Sequence, residues 1–456
     1  MAVDYNLVIL GGGRVARHAA DYAARWGARV ALVVPTESVA PGSLQQMVAY
    51  LLAASPRPEE PSAREARLAE AIAFATWQME QGPLTDLAAQ GVDVVWGSGR
   101  FTPSLGVQGG DRHLRGRRYL IAIEASPNDS GLQASRLPDL TLSQLQRPDL
   151  STVAVWGSGP QALSLAQAVQ RLGLSTVLAS PSSLLSGEDR AIAALLQAQL
   201  EAEGVCIITG ARVVPRSSAA QKPQISAESF SVAVDGILQS SDRPNLAPLN
   251  LPKPIAATPD GLSVNARLQT AHPSIYACGD ALGGDRSLAV SLAEAEIAVA
   301  NALSIPYRRI RYRRIPRTIN TVPPVVAAGL TAQQAKRRHR DVVVLEQSLA
   351  TMPRAQLAAA GGETTPGLCR LILSRGGKIL GFYAVGPCAG EWAVPMLWAV
   401  ERGKTIAELP RSPLAAPPAY SDVVARLVAQ WQQRRKPNWQ RDLLELAMNW
   451  QRDWTR

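Results

Sequence analysis

Leu7-Val8-Ile9-Leu10-Gly11-Gly12-Gly13-Arg14-Val15-Ala16 is an apolar run that breaks into glycines and opens an alanine-rich helical pattern. A strand turning straight into a helix brings the helix N-terminus, with its unpaired N–H groups and partial positive charge, against an anion such as a pyrophosphate. In the triplet Gly11-Gly12-Gly13, the first residue makes the tight turn and Gly13 leaves room for a phosphate at the backbone, while small Ala16 lets helix and strand pack closely. The design recurs. Val153 to Trp156 runs into Gly157-Ser158-Gly159-Pro160-Gln161-Ala162, where Gly157, Gly159 and Ala162 hold the corresponding places. One such fingerprint is weak, but two, each between an apolar strand and a helix, point to a duplicated dinucleotide-binding unit. A third feature, Tyr276-Ala277-Cys278-Gly279-Asp280, follows later in the chain.

Working outward, the first unit reads as strand 7–10, helix 14–26 and strand 30–34, and the second as strand 153–156, helix 160–172 and strand 175–179. Residues 62–81 carry Leu68, Ile72, Phe74, Ala75 and Met79, the pattern of an amphipathic helix, and 189–203 carries Ile192, Leu195, Leu196 and Leu200 before a stop at Gly204. Strand-like runs at 92–96, 119–123, 205–208 and 236–238 complete the two sheets. Beyond residue 300 the character changes. Strands at 341–345, 368–373 and 379–385 surround Gly376-Gly377, a two-residue hairpin signal, and Thr405-Ile406-Ala407-Glu408 has the spacing of a capping box opening a helix. A further helix is expected over 421–432, and then a basic, tryptophan-bearing tail.

The acidic residue that should hold a ribose at the end of each second strand is displaced. Val34-Pro35 and Ser180-Pro181 stand there, and Glu37 serves the first site only if its loop curls back.

With 456 residues, 46% of them hydrophobic, the chain has the material for two or three cored domains. No apolar run is long enough to span a membrane and no secretory leader pattern opens the chain, so a cytoplasmic protein is expected. The four cysteines, at 206, 278, 369 and 388, are too scattered for a local metal cage or redox pair. His18 and His272 have no metal-ligand partners at suitable spacing and read as structural, so no metal is expected. The net charge of +10 is concentrated in arginines 308, 309, 311, 313, 314 and 317 and in the cluster Lys336, Arg337, Arg338 and Arg340. Without a nucleic-acid-binding motif these read as solvated faces, and nucleic acid is an unlikely partner. Trp439, Leu443, Leu446, Trp450 and Trp454 recur at helical spacing in the tail, a face suited to a protein partner, an anionic membrane surface or the protein's own dimer mate.

These fingerprints resemble those of the pyridine nucleotide-disulfide oxidoreductases, the flavoproteins that include glutathione reductase, dihydrolipoamide dehydrogenase and mercuric reductase. The resemblance covers nearly the whole chain. It implies an α/β fold with two Rossmann-like dinucleotide-binding domains and a C-terminal α+β dimerisation domain. FAD would sit on Gly11, Gly12, Gly13 and Ala16, with Glu37 as the displaced acid and Gly279 and Asp280 as the second FAD motif. NAD(P)H would sit on Gly157, Gly159 and Ala162. The implied layout is an FAD domain from 1–150 and 266–314, an NAD(P) domain over 151–265, a dimerisation domain over 315–432, and the tail 433–456. Ile315-Pro316-Arg317 through Gly329-Leu330-Thr331, and Val385-Gly386-Pro387, resemble segments of that last domain and imply a homodimer.

The chain departs from the family's chemistry. No cysteine lies between Ser38 and Ser55, where the C-x₄-C disulfide belongs, and Pro417-Pro418-Ala419-Tyr420-Ser421-Asp422 stands in place of the motif holding the catalytic histidine. The two A-T-G connectors become Ala122-Ile123-Glu124 and Gln239-Ser240-Ser241, and a glutamate in place of a glycine would crowd a cofactor. Cys278 has two readings, a flavin-proximal thiol or a small buried filler. Two functions follow: an FAD-dependent NAD(P)H oxidoreductase without a disulfide relay, or a non-catalytic scaffold or redox-responsive adaptor on the same fold.

Overall fold

A computed structural model describes residues 4–35, 41–54, 62–80, 84–126, 140–214, 222–227, 230–240, 243–258, 261–283, 287–361, 367–411 and 418–435. Glu37 and the tail residues 436–456 lie outside them. The chain forms two compact units, 1–322 and 323–456.

The first unit is built on two parallel sheets. Among the described residues, β1 (Tyr5–Leu10), β2 (Val30–Val34), β3 (Asp93–Trp96), β4 (Gly116–Ile121) and a later strand, Ile275–Ala277, form one sheet in the order Ile275–Ala277, β4, β1, β2, β3. The second contains β5 (Thr152–Trp156), β6 (Ser175–Ser180), β7 (Cys206–Thr209) and β8 (Gly236–Gln239) in the order β7, β6, β5, β8; Ile275–Ala277 is then β9. Parallel strands are covered on both faces and so become unbroken apolar runs. Leu7, Val8, Ile9 and Leu10 are accordingly buried, each contributing about 1.5–3 kcal/mol of transfer free energy.

Small residues bring the covering helices close. Helix α1 (Arg14–Arg25) buries Ala16, Ala19, Ala20 and Ala23 in a core shared with Ala295, Ala298, Val299 and Ala302. Those last four belong to a helix at Leu288–Leu303, whose apolar character on nearly every side hides any periodic signal in the sequence. The sequence also conceals a helix at Pro41–Ala54, called α2, inside what reads as a polar, alanine-rich stretch. Next in the chain are α3 (Ser62–Glu80), α4 (Pro160–Arg171) and α5 (Arg190–Ala202), which makes Leu288–Leu303 α6. In α3 the buried positions are Leu68, Ala71 and Ala75, whereas Phe74 faces solvent, contrary to the amphipathic reading.

The second unit carries antiparallel strands β10 (Val325–Gly329), β11 (Val342–Ser348), β12 (Leu368–Ser374) and β13 (Ile379–Val385), paired in the order β10, β13, β12, β11. Their inner face packs Leu345, Leu371 and Phe382 against Met352, Met396, Leu427 and Trp431. Two local readings need correction. The hairpin between β12 and β13 is one residue longer than a two-residue turn: Ser374 N donates to Lys378 O at 2.9 Å, leaving 375–377 as the loop with Gly377 at φ +85°. The capping box at Thr405 and Glu408 forms, but it opens only a single 3₁₀ turn, Ile406–Glu408, because Pro410 follows at once.

Candidate functional site

The two glycine turns of the first unit can be built atom by atom. Gly11 follows β1 at φ +139°, its N–H donating to Val33 O at 3.0 Å, and a Cβ there would collide with the Ala122 carbonyl. A Cβ on Gly12 would lie 2.9 Å from Val34 Cγ1. Gly13 is the N-cap of α1 and supplies no side-chain cap, and the first turn of α1 carries no acidic residue. Arg17 Nε donates to Gly12 O at 2.8 Å, fixing the turn from behind. Burial lowers the Arg17 pKa, and the Glu124 charge partly restores it.

The second turn is built alike. Gly157 sits at φ +154°, its N–H donates to Ala179 O at 3.0 Å, and a Cβ would strike Ser240 Oγ and approach Ala162 Cβ within 2.9 Å. Ala162 is fully buried, as its packing role requires. Gly159 caps α4, with Pro160 at its first position and no atom within 4 Å of where a Cβ would stand.

Asp280 comes from a short 3₁₀ turn, Gly279–Leu282, immediately after β9. Gly279 takes φ +66° and donates its N–H to Glu294 Oε2 at 2.7 Å; Tyr312 Oη donates to Glu294 Oε1 at 2.8 Å. Asp280 Oδ2 accepts from Ala125 N at 3.0 Å, which ties this motif to the connector carrying Glu124. Asp280, Glu124, Arg14, Ser158 and Gly159 line one cavity of about 560 Å³. The structure therefore brings the three sequence motifs to a common space. Glu37 is not described.

Sequence reasoning missed the wall of this cavity supplied by α2. Gln45, Met47, Ala49 and Tyr50 line it, and Gln45 Nε2 donates to Gln239 O at 2.9 Å. Apolar Leu44, Val48, Leu51 and Leu52 were the available signal for that helix. Arg317 and Glu188, paired at 3.2 Å, line the cavity as well.

The thiols stand apart from one another. All four cysteines are free; Cys206 and Cys388 are exposed, and Cys278 and Cys369 are buried. Burial, then the carboxylates of Glu294 and Asp280, push the Cys278 thiol well above its ordinary pKa, so it packs as a neutral filler. His18 does have an acidic neighbour, Glu296 Oε1 at 3.1 Å, and His272 is tied into a local turn through Ser274 N. Among the described residues no cluster could hold a metal ion, and no helix is long and apolar enough to cross a membrane.

With this geometry, the profile described as Pyridine nucleotide-disulphide oxidoreductase matches residues 5–302, and that of the family's dimerisation domain matches 315–427. The chain belongs to this family. Among curated relatives, a mercuric reductase of Staphylococcus aureus is 28% identical over 89% of this chain and 79% of its own. A dihydrolipoyl dehydrogenase of Bacillus subtilis is 27% identical over 67% of this chain and 66% of its own. The fold is shared with RclA, an HOCl-induced flavoprotein disulfide reductase of Escherichia coli, at TM-score 0.75 and 21% identity over 93% of this chain and 99% of that one. LpdA of Mycobacterium tuberculosis gives TM-score 0.77 and 22% identity over 93% and 99%.

The family binds FAD and carries an NAD(P)H-binding domain. The Gly11–Gly13 turn, the glycine-capped start of α1, Asp280 and the cavity suit such a dinucleotide. One side chain stands in its way. A Cβ added to Gly13 would collide with the carboxyl group of Glu124, which therefore lies over the glycine that a pyrophosphate should approach. The obstruction comes from the end of a flexible side chain, so the backbone fits the cofactor once Glu124 turns aside.

Proposed function

We propose that this chain is an FAD-dependent NAD(P)H oxidoreductase that delivers electrons to its acceptor without a disulfide relay. The observation that carries the reading is the cavity wall formed by α2. Gln45, Met47, Ala49 and Tyr50 line it there, in the part of the chain where the family's cysteine pair belongs. A dithiol relay needs an attacking thiolate and a nearby resolving thiol, and the buried, neutral Cys278 offers neither.

Bound FAD would supply the two-electron chemistry that links a nicotinamide to the acceptor. The chain's own residues supply position. Gly11, Gly12, Gly13 and the start of α1 would hold the flavin pyrophosphate, Ala16 keeps α1 close to β1, and Asp280 with Gly279 would hold the ribityl side. Gly157, Gly159 and Ala162 at the start of α4 would do the same for NAD(P)H. Met47, Ala49 and Tyr50 bound the space left for an acceptor. In this reading residues 1–150 with 266–314 form the flavin domain, 151–265 the nicotinamide domain, and 315–432 the surface through which a cytoplasmic homodimer assembles.

The second reading, a non-catalytic scaffold or adaptor, is favoured by one observation, the Glu124 carboxyl over Gly13. The two readings separate on a spectrum. Purified protein should be yellow, bleach anaerobically on addition of NADH or NADPH, and recover its colour with an artificial acceptor. A variant with all four cysteines replaced by Ser or Ala should behave alike, apart from packing losses. A colourless, folded dimer would support the adaptor instead. Loss of turnover in a cysteine-free variant that still folds and binds FAD would restore a thiol to the mechanism.

A further inference from the structure

We infer that Glu124 competes with the cofactor for its own cradle, so that FAD enters this protein only by displacing a carboxylate already docked there. The inference rests on the flavin reading above and sets how tightly that site binds. Its ground is the position of one side chain. Oε1, Cδ and Cγ of Glu124 all lie within the space that a Cβ on Gly13 would need, with Cγ at 2.7 Å.

The field around it attracts an anion. The N-cap of α1 is a glycine, which supplies no side-chain cap, the first turn has no acidic residue, and Arg17 lies close enough to sense the Glu124 charge. These are the features that attract a pyrophosphate, so two anions are drawn to one field. Both cannot occupy it. The neighbouring residue, Ala125, is held by Asp280 Oδ2, so the connector backbone is anchored and only the glutamate side chain is left to move. A glycine at 124 would leave the cradle empty and ready. The glutamate fills it in the absence of ligand and repels the incoming phosphates as it leaves.

The second turn differs: among the described residues nothing lies within 4 Å of the Cβ position of Gly159.

FAD titration of flavin-stripped wild type, Glu124→Gly, Glu124→Gln and Asp280→Ala, followed by quenching of flavin fluorescence and by the thermal midpoint with added FAD, tests the inference. Glu124→Gly should bind FAD on the order of tenfold more tightly than wild type or better, and Glu124→Gln, which keeps the bulk and loses the charge, should fall between them. NAD(P)H affinity should not change. Equal or weaker FAD binding by Glu124→Gly overturns the inference, including the case in which no variant binds FAD. If Asp280→Ala nevertheless weakens binding, the flavin site stands and only the role of Glu124 fails. If Asp280→Ala also has no effect, the placement of the site fails with it.

Discussion

Gly13 and Gly159 cap α1 and α4 with nearly the same backbone, φ −79° and ψ −177° against φ −92° and ψ 179°, yet what faces them differs. Over Gly13 lies the Glu124 carboxyl; among the described residues nothing lies within 4 Å of the Cβ position of Gly159. The difference in the first half comes from Glu124, two residues past the residue that packs against Gly11. In the first half Ala122 backs Gly11 and the connector runs on to Glu124, whereas in the second half Ser240 Oγ backs Gly157 and donates to Trp156 O at 3.2 Å, remaining clear of Gly159. A duplicated fold therefore preserves the turn, while in the first half the connector carries a side chain onto it.

Crossed substitutions at the two glycines should give the largest effects. Gly159→Val should weaken NAD(P)H binding by roughly tenfold or more and leave FAD content alone, because a side chain would enter the approach to the N–H groups of α4. Gly13→Val should lower flavin content and leave NAD(P)H binding alone. Calorimetry with each ligand checks both, and a loss of both ligands in either variant would mean that the two turns do not act as separate sites.

A smaller effect separates the ways the two cap helices are held. α1 lies on alanines, while α4 is braced at its end by an ion pair: Arg171 Nε and a terminal nitrogen each donate to Glu203 at 2.8 Å, and Gln167 and Gln199 add further bonds. Both side chains are largely buried, so Arg171→Ala should cost about 1–3 kcal/mol in chemical denaturation. Burial alone would raise the Glu203 pKa, but Arg171 and the two glutamines outweigh it and hold it below the ordinary glutamate value. A depressed carboxylate stabilises the fold above its unfolded pKa, and that contribution disappears as pH falls through the folded value. The cost of Arg171→Ala should therefore shrink in acid. A cost that stays constant from neutral to acidic pH would show that Arg171 acts through packing alone.

Much of this was readable in the sequence where burial simplifies the pattern. The strand at Val30–Val34 is an unbroken apolar run because the parallel sheet covers both its faces. The same simplicity hid α6, which is apolar around most of its circumference and offers no period to detect. Helix α2 was missed for a different reason: its cavity-facing residues Gln45 and Tyr50 interrupt the apolar pattern that announces a helix. At the site, the glycines and Asp280 were legible because turn geometry restricts residue choice. Glu124 was legible as a substitution, but the rotamer that lays it on Gly13 depends on long-range contacts with α1 that no local pattern records. The tryptophan stripe of the tail lies outside the described residues.

Anaerobic reductive titration of the flavin-loaded protein with dithionite bears most directly on the absence of a dithiol relay. A flavin takes up two electrons and a redox-active disulfide takes up two more. Complete reduction is expected after about one two-electron equivalent per bound flavin, without a lag before the flavin band bleaches. Uptake of about two equivalents per flavin would reveal a second redox centre and contradict the proposal.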